Sequence, residues 1–344
     1  VGRRFVRVPP SLARYVLFGL FLALANGNSA FAASADVQSA RIPLYPDHPA
    51  EKRAGSLIFR GGLQLKSSDR AFGGWSDLAV SADGSEILAI SDEAHWLRAH
   101  VAYDANGDLA ALGDAEIAPM LDMQGRPMQG KEGDAEGLTL ERPNDVHGPV
   151  AVSFERNVRV WRYDLSQGLD ARPTNVPIGE WVKPLHDNEQ LEAITLFKPD
   201  TLIAFAETKV KPGDDILAAM EAYPGTNGPA TEMLSVVPHD PFAITSAANA
   251  PDGGLFLLER RFSLAGGVGM EVRHIPPSEI HQGTRLNGEV LANLSFQDAS
   301  IDNMEGIAVR RGTAGETLLY IISDDNYSPL QRTVLLMFEV RAGN

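Results

Sequence analysis

The chain has 344 residues, with 45 acidic against 30 basic side chains, a formal charge of −15, 44% apolar residues and no cysteine. That apolar share can bury a sizeable core, which excludes wholesale disorder. The acidic balance makes nucleic acid a poor partner, and the missing cysteines remove disulfides, thiolate zinc sites, iron–sulfur clusters and thiol nucleophiles together. With 32 Gly and 22 Pro, the composition favours short strands joined by turns over a helical bundle.

In chain order, the first segment reads as a secretory signal. Arg3, Arg4, Arg7 and Arg14 form a basic start, an apolar run spans Tyr15 to Ala25, and Ala30-Phe31-Ala32 supplies a small-x-small cleavage site. The apolar run is too short to cross a bilayer. The Arg3-Arg4 pair is similar to a twin-arginine signal, and ordinary Sec export fits equally. Residues 1–32 are therefore expected as a signal peptide, 33–54 as a linker and 55–341 as the folded domain. The predicted setting is a bacterial periplasm or the exterior, with no membrane span once the signal is removed.

A repeat then runs through the domain, recurring about every 57 residues as a short apolar strand, a turn, a second apolar strand and an acid. Its first strands are Ser76–Val80, Glu136–Leu140, Glu192–Leu196, Phe242–Thr245 and Glu305–Val309. The second strands end at Asp92, Glu155, Glu207, Glu259 and Asp324. They are apolar at nearly every position, as expected for strands buried on both faces. Third and fourth strands follow at Val158–Leu165 and Thr174–Ile178, and again at Met270–Ile275 and Glu289–Leu294. The last repeat shows three strands, ending with Val334–Val340. Leu57–Leu65 is placed to supply its fourth and close the ring. The spacing predicts an all-β propeller of five four-stranded blades. Six blades remain open because 208–232 is long and irregular.

Blade geometry puts the start of each first strand and the end of each second strand on one face. Glu136, Glu192 and Glu305, together with Asp92, Glu155, Glu207, Glu259 and Asp324, should then crowd one channel mouth, while Ser76 and Phe242 take the equivalent entry positions in the other two repeats and leave the inner ring of acids incomplete. Basic groups follow the second strands: His95, Arg98, Arg156, Lys209, Arg260 and Arg261. So many carboxylates call for a neutralising cation. A hard divalent ion such as calcium takes oxygen ligands, and an Arg/Lys rim suits a phosphate or carboxylate. The plainer reading is that acids at strand ends are ordinary solvated turns and that Arg156 and Arg260 neutralise their neighbours. Asp104-Ala105-Asn106-Gly107-Asp108 reads as a hairpin turn rather than a calcium loop. Trp75, Trp96, Trp161 and Trp181 are expected between blades. No nucleophile elbow, P-loop or His-Glu-x-x-His motif occurs.

Gly74-Trp75-Ser76-Asp77-Leu78-Ala79 with Ala89-Ile90-Ser91-Asp92, and Asp302-Asn303-Met304-Glu305-Gly306-Ile307 with Ile322-Ser323-Asp324-Asp325-Asn326, resemble the phytase-like family, described by its esterase-like activity of phytase. The run Asn326-Tyr327-Ser328-Pro329-Leu330-Gln331-Arg332-Thr333 is the most specific portion. The resemblance implies a propeller and, through more distant similarity to beta-propeller phytases, calcium-assisted hydrolysis of a phosphoester. On that reading Glu136, Glu192, Glu207 and Glu305 hold the metal, while Arg156, Lys209 and Arg260 grip a small anionic or ester substrate. Asp324 or Glu259 serves as base. The alternatives are a lactonase-type or carboxylic esterase, and a non-catalytic propeller that binds a ligand or protein at the same mouth.

Overall fold

Five sheets, antiparallel within each blade, succeed one another along the chain, and the strands of each blade follow one another outward from the channel in sequence order. The exceptions are N-terminal strands added at the outer edges of the first and last sheets and a late strand that joins the third. A computed structural model describes residues 1–2, 32–185, 191–224, 230–263 and 266–341. The expected signal peptide falls largely on residues 3–31, outside the described residues.

The chain enters through β1 (Ala33–Ala35), β2 (Val37–Ile42), β3 (Arg53–Ala54) and β4 (Leu57–Ser67). Blade 1 is β5 (Trp75–Val80), β6 (Glu86–Ser91), β7 (His95–Tyr103) and β8 (Leu109–Pro119), with β1 added outside β8. Blade 2 is β9 (Ala135–Leu140), β10 (Pro149–Phe154), β11 (Arg159–Asp164) and β12 (Thr174–Val176). Blade 3 is β13 (Leu191–Lys198), β14 (Thr201–Lys209), β15 (Ile216–Ala222) and β16 (Glu232–Val236). Blade 4 is β17 (Ala243–Asn249), β18 (Leu255–Ser263), β19 (Gly267–Ile275) and, after β20 (Arg285–Leu286) has paired with β16, β21 (Glu289–Ser295). Blade 5 is β22 (Asn303–Arg311), β23 (Thr317–Asp324) and β24 (Thr333–Val340), completed by β4 and then β2.

The ring is a five-bladed β-propeller, and the five-blade count holds because the third strand of blade 3, β15, falls within the stretch 208–232 and its fourth, β16, begins at Glu232, both pairing in one sheet with β13 and β14. Closure by the N-terminal strand is also as expected: β4 runs antiparallel to β24, Leu57 opposite Val340 and Leu65 opposite Thr333. Residues 33–54 do more than tether, since β1 and β2 extend two blades at their outer edges.

The core lies in the seams, because each sheet is apolar on both faces. Leu97, Tyr320 and Leu335 share the seam of blades 5 and 1 with Trp75. Trp96 and Tyr163 meet edge-on, 5.3 Å between centroids, in the seam of blades 1 and 2, with Trp161 beside them. Trp181 packs with the apolar residues of blades 2 and 3, so the four tryptophans sit where the pattern put them. The Asp104–Asp108 segment is a hairpin turn, with Asp104 Oδ1 accepting the N–H groups of Asn106 and Asp108. No helix among the described residues is long and apolar enough to cross a membrane.

Candidate functional site

One local irregularity builds the acidic mouth. In every blade the pairing of the first strand with the second slips near the start of the first strand: at 75/77, 135/138, 191/193, 244/246 and 304/306. A bulge of this kind leaves an extra residue unpaired and re-aims its side chain. The residues within these slips are Ser76, Glu136, Thr245, Glu192 and Glu305. The facing positions on the second strands carry Asp92, Glu155, Glu207, Arg260 and Asp324.

Blade 4 therefore departs from the expectation. Glu259 lies opposite Ile244 and Arg260 opposite Ala243, so the bulge falls at Thr245 and not at Phe242. A one-residue offset sends a strand side chain to the other face. Glu259 turns into the seam with blade 3, fully buried, where its carboxylate meets Arg273 Nη2 at 2.7 Å and Nε at 2.5 Å. Glu259 is thus removed from the mouth and from any role as a base there. A neighbouring His239, Glu259 and Glu271 grouping has ligand-type atoms close together, but Arg273 already supplies its positive charge.

Arg260, expected on the rim, instead sits within the ring. Its Nε lies 3.0 Å from Glu305 Oε1 and its Nη2 3.5 Å from Glu207 Oε1. The other two expected anion-binding cations stay outside: Arg156 pairs with Asp134 and Lys209 with Asp240 at 2.5 Å. Phe242 serves as a platform for Arg261, 5.7 Å above its ring.

The ring is electrostatically unbalanced. Burial raises Glu305 to about 8, against the pull of Arg260 and with a further push from Asp324 and Glu207. Asp92 is likewise raised to about 8, by burial and then by Asp324. Glu136 and Glu192 are pushed well above the usual carboxylate range, first by burial and then by neighbouring acids. Asp324 is held lower, at about 6, because the N–H of Asn326 opposes burial. That N–H donates to Asp324 Oδ1 at 2.6 Å, from a residue in the left-handed region at φ +48°.

Two oxygen donor sets lie side by side: Asp134, Glu136 and Glu155, then Glu155, Glu192 and Glu207, the ligand-type atoms within each set lying within 4.8 Å of one another. Glu155 belongs to both. Such a set, all oxygen, fits a hard divalent ion better than a thiophilic one. A buried carboxylate oxygen without a hydrogen-bond partner on each of Asp92 and Glu305 shows unmet demand for positive charge close by. Of the four residues expected to hold metal, Glu136, Glu192 and Glu207 fall in these sets, while Glu305 faces Arg260. Asp134 and Glu155 join them. Glu155 carried the sequence signal of a strand-end acid, whereas Asp134 sits one residue before its strand and showed none.

Gly74 and Asp77 were also silent. Gly74 has φ +63°, and a Cβ there would meet Asp92 Oδ1 at 2.1 Å, so the turn brings Asp92 to the mouth by lacking a side chain. Asp77 closes the channel below the ring. Its Oδ2 accepts the Leu138 N–H at 2.7 Å, and its Oδ1 accepts the Leu78 N–H and the Ser246 hydroxyl, both at 2.9 Å. Ser246 in turn accepts the Ile307 N–H at 3.2 Å, so four blades are tied at one point. Burial pushes Asp77 up to about 8 even against these donors.

A five-bladed propeller with a bulge-built carboxylate ring defines the class. Residues 70–327 match the phytase-like family, esterase-like activity of phytase, and the chain belongs to that family, whose description is hydrolase-like. No curated protein matches the sequence. Among solved structures, one titled "Structure of U3-55K" aligns with 80% of this chain and 98% of its own at 9% identity and a TM-score of 0.37.

Proposed function

We propose that this protein is an exported, metal-assisted ester hydrolase acting on an anionic substrate, a phosphoester first among them, at the bulge-built mouth. The observation that carries the reading is the pair of oxygen donor sets joined through Glu155 beside the inward Arg260. Asp134, Glu136, Glu155, Glu192 and Glu207 would hold the divalent ion or ions, calcium being the best fit to such a donor set. When bound, the ion supplies Lewis acidity toward an ester oxygen and lowers the cost of gathering these charges.

The chain's own groups then have distinct tasks. Arg260 offers a fork of donors toward a substrate oxygen, at the point where the acidic ring is interrupted. Asp324, held at about 6, is the carboxylate best placed to take a proton from an attacking water near neutral pH. Asn303 donates to Glu305 Oε1 at 2.6 Å and fixes that acid against Arg260. Arg156 and Lys209 stand further out and guide anions toward the mouth. The basic start, apolar run and small-x-small site of residues 1–32 support export to the periplasm or exterior.

The test is hydrolysis of p-nitrophenyl phosphate and p-nitrophenyl acetate by purified protein in calcium and in chelator. Calcium-dependent turnover that Glu155→Gln and Glu192→Gln abolish supports the reading. Turnover of the carboxylic ester alone would assign an esterase or lactonase. Calcium binding without hydrolysis of either would leave a ligand-binding propeller.

A further inference from the structure

At the far end of the channel, beyond the Asp77 floor, residues of all five inner strands line a cavity of about 540 Å³. That volume is within the range of small-molecule sites. Its wall is mainly apolar and drawn from the ring, with Leu78, Leu138, Leu196, Ala247 and Ile307 at or beyond the middle of an inner strand, and Thr139, Thr195 and Asn249 add polar groups between them. None of the acids of the mouth lines it.

The rim has the opposite sign to the mouth. Lys198, Arg310 and Arg311 line it, and none of them forms an ion pair among the described residues. Lys198 Nζ lies 5.2 Å over the Phe197 ring. Arg310 donates to the Tyr320 hydroxyl at 2.9 Å. Arg311 donates to the carbonyl of Pro251 at 3.1 Å. Glu141 is the one carboxylate on the lining, and its oxygens are taken by Arg162 and by the Tyr223 hydroxyl. Arg310 is buried against Tyr103 and Tyr320, which leaves Lys198 and Arg311 as two exposed cations without a carboxylate partner beside a mainly apolar cup, unexpected on a chain of formal charge −15. They define a head-and-body site, with an apolar pocket below and a cationic collar above.

We propose that this far cavity binds an amphiphilic monocarboxylate, its apolar body seated among Leu78, Leu138, Leu196, Ala247 and Ile307 and its carboxylate held by Lys198 and Arg311. Complementary charge selects the class. A neutral amphiphile gains the apolar wall but leaves the collar unpaired, and a polyanion gains the collar but cannot fill the wall. The site is independent of the acidic mouth, from which the Asp77–Ser246 contact separates it.

Isothermal titration of the full protein with decanoate and with decanol tests this. Saturable decanoate binding at least about fivefold tighter than decanol is the expected result, since the two probes differ at the head group that the collar reads. The double variant Lys198→Glu, Arg311→Glu should remove that preference while leaving decanol binding in place. Ala82→Trp, at an exposed rim position, should weaken both probes. Both variants should keep the parent melting temperature. Absence of decanoate binding, equal affinity for the two probes, or a preference that survives the double charge reversal would each overturn the proposal.

Discussion

Replacing Arg273 by Met removes the positive partner of a carboxylate with no exposure, and the cost can be worked from the contacts. Glu259 sits at 0% side-chain exposure, as does Arg273, so water does not reach either. Burial already raises Glu259 above its usual 4.5, and Arg273 pulls it back. Without that pull, Glu259 takes a proton in the folded state. At pH 7, neutralising a carboxyl of ordinary value 4.5 costs about 3.4 kcal/mol at about 1.36 kcal/mol per pH unit. The variant also strands the carbonyls of Val237 and Asn287, which accept from Arg273 Nη1 at 3.0 and 3.1 Å. Breaking a buried pair by removing one partner is expected to cost about 3–5 kcal/mol. With an unfolding entropy of about 2.1 cal/mol/K per residue over roughly 300 folded residues, that is a fall of about 5–8 °C in melting temperature. The sign with pH follows. The variant's folded state keeps a proton that the unfolded chain releases above about pH 4.5, so its stability falls as pH rises through that point. Burial raises Glu259 in the parent too, so the gap should widen from pH 5 to pH 7 by at most about 2.6 kcal/mol. Chemical denaturation at both values measures it. A gap below about 1 kcal/mol, or one that does not change with pH, would refute the assignment of Glu259 to a buried pair.

Calcium should raise the melting temperature of the parent, since an ion held by the folded ring alone stabilises it by mass action. Glu155→Gln, which touches both donor sets, should remove most of that shift, and an unaltered shift would move the ion elsewhere. Gly306→Ala should cost about 1–3 kcal/mol in denaturant titrations, because the added methyl would meet Asp77 Cα at 2.7 Å, an overpacking no side chain can relieve. Deleting residues 55–66 should abolish cooperative unfolding or lower its midpoint strongly. A melting profile matching the parent would mean that β4 is dispensable.

The blades were legible because a strand buried on both faces writes its boundaries as apolar runs, and β6, β10, β14, β18 and β23 all do so. Ring closure was legible as an arithmetic need, three strands where four were required. The site was legible only in outline. Acids at strand ends pointed to one mouth, but which of them enter it depends on bulges, and a bulge leaves no composition behind. Glu259 and Arg260 are adjacent in sequence and the apolar run before them reads the same for either register, so the pattern chose the wrong one of the two. Asp77 was hidden for another reason: its place among Leu, Ala and Val reads as a strand interior, and its partners Leu138 and Ser246 come from other blades. The strands in 33–54 are short and edge-paired, and edge strands with exposed side chains carry little periodicity.

The fifth blade joins segments from opposite ends of the domain, with Leu57–Ser67 lying between Thr333–Val340 and Val37–Ile42. A strand made early must therefore wait, unpaired on its inner edge, until nearly all later blades exist. Loop-closure entropy rises only slowly with length, so the delay is kinetic in character, and it belongs to the slow, long-range class of folding steps. During that interval β4 exposes an open hydrogen-bonding edge of the kind that recruits other chains. For a chain made from its N-terminus, ring formation becomes a check on complete synthesis. Truncated chains that lack Thr333–Val340 would never be sealed, and would remain open to proteolysis and self-association.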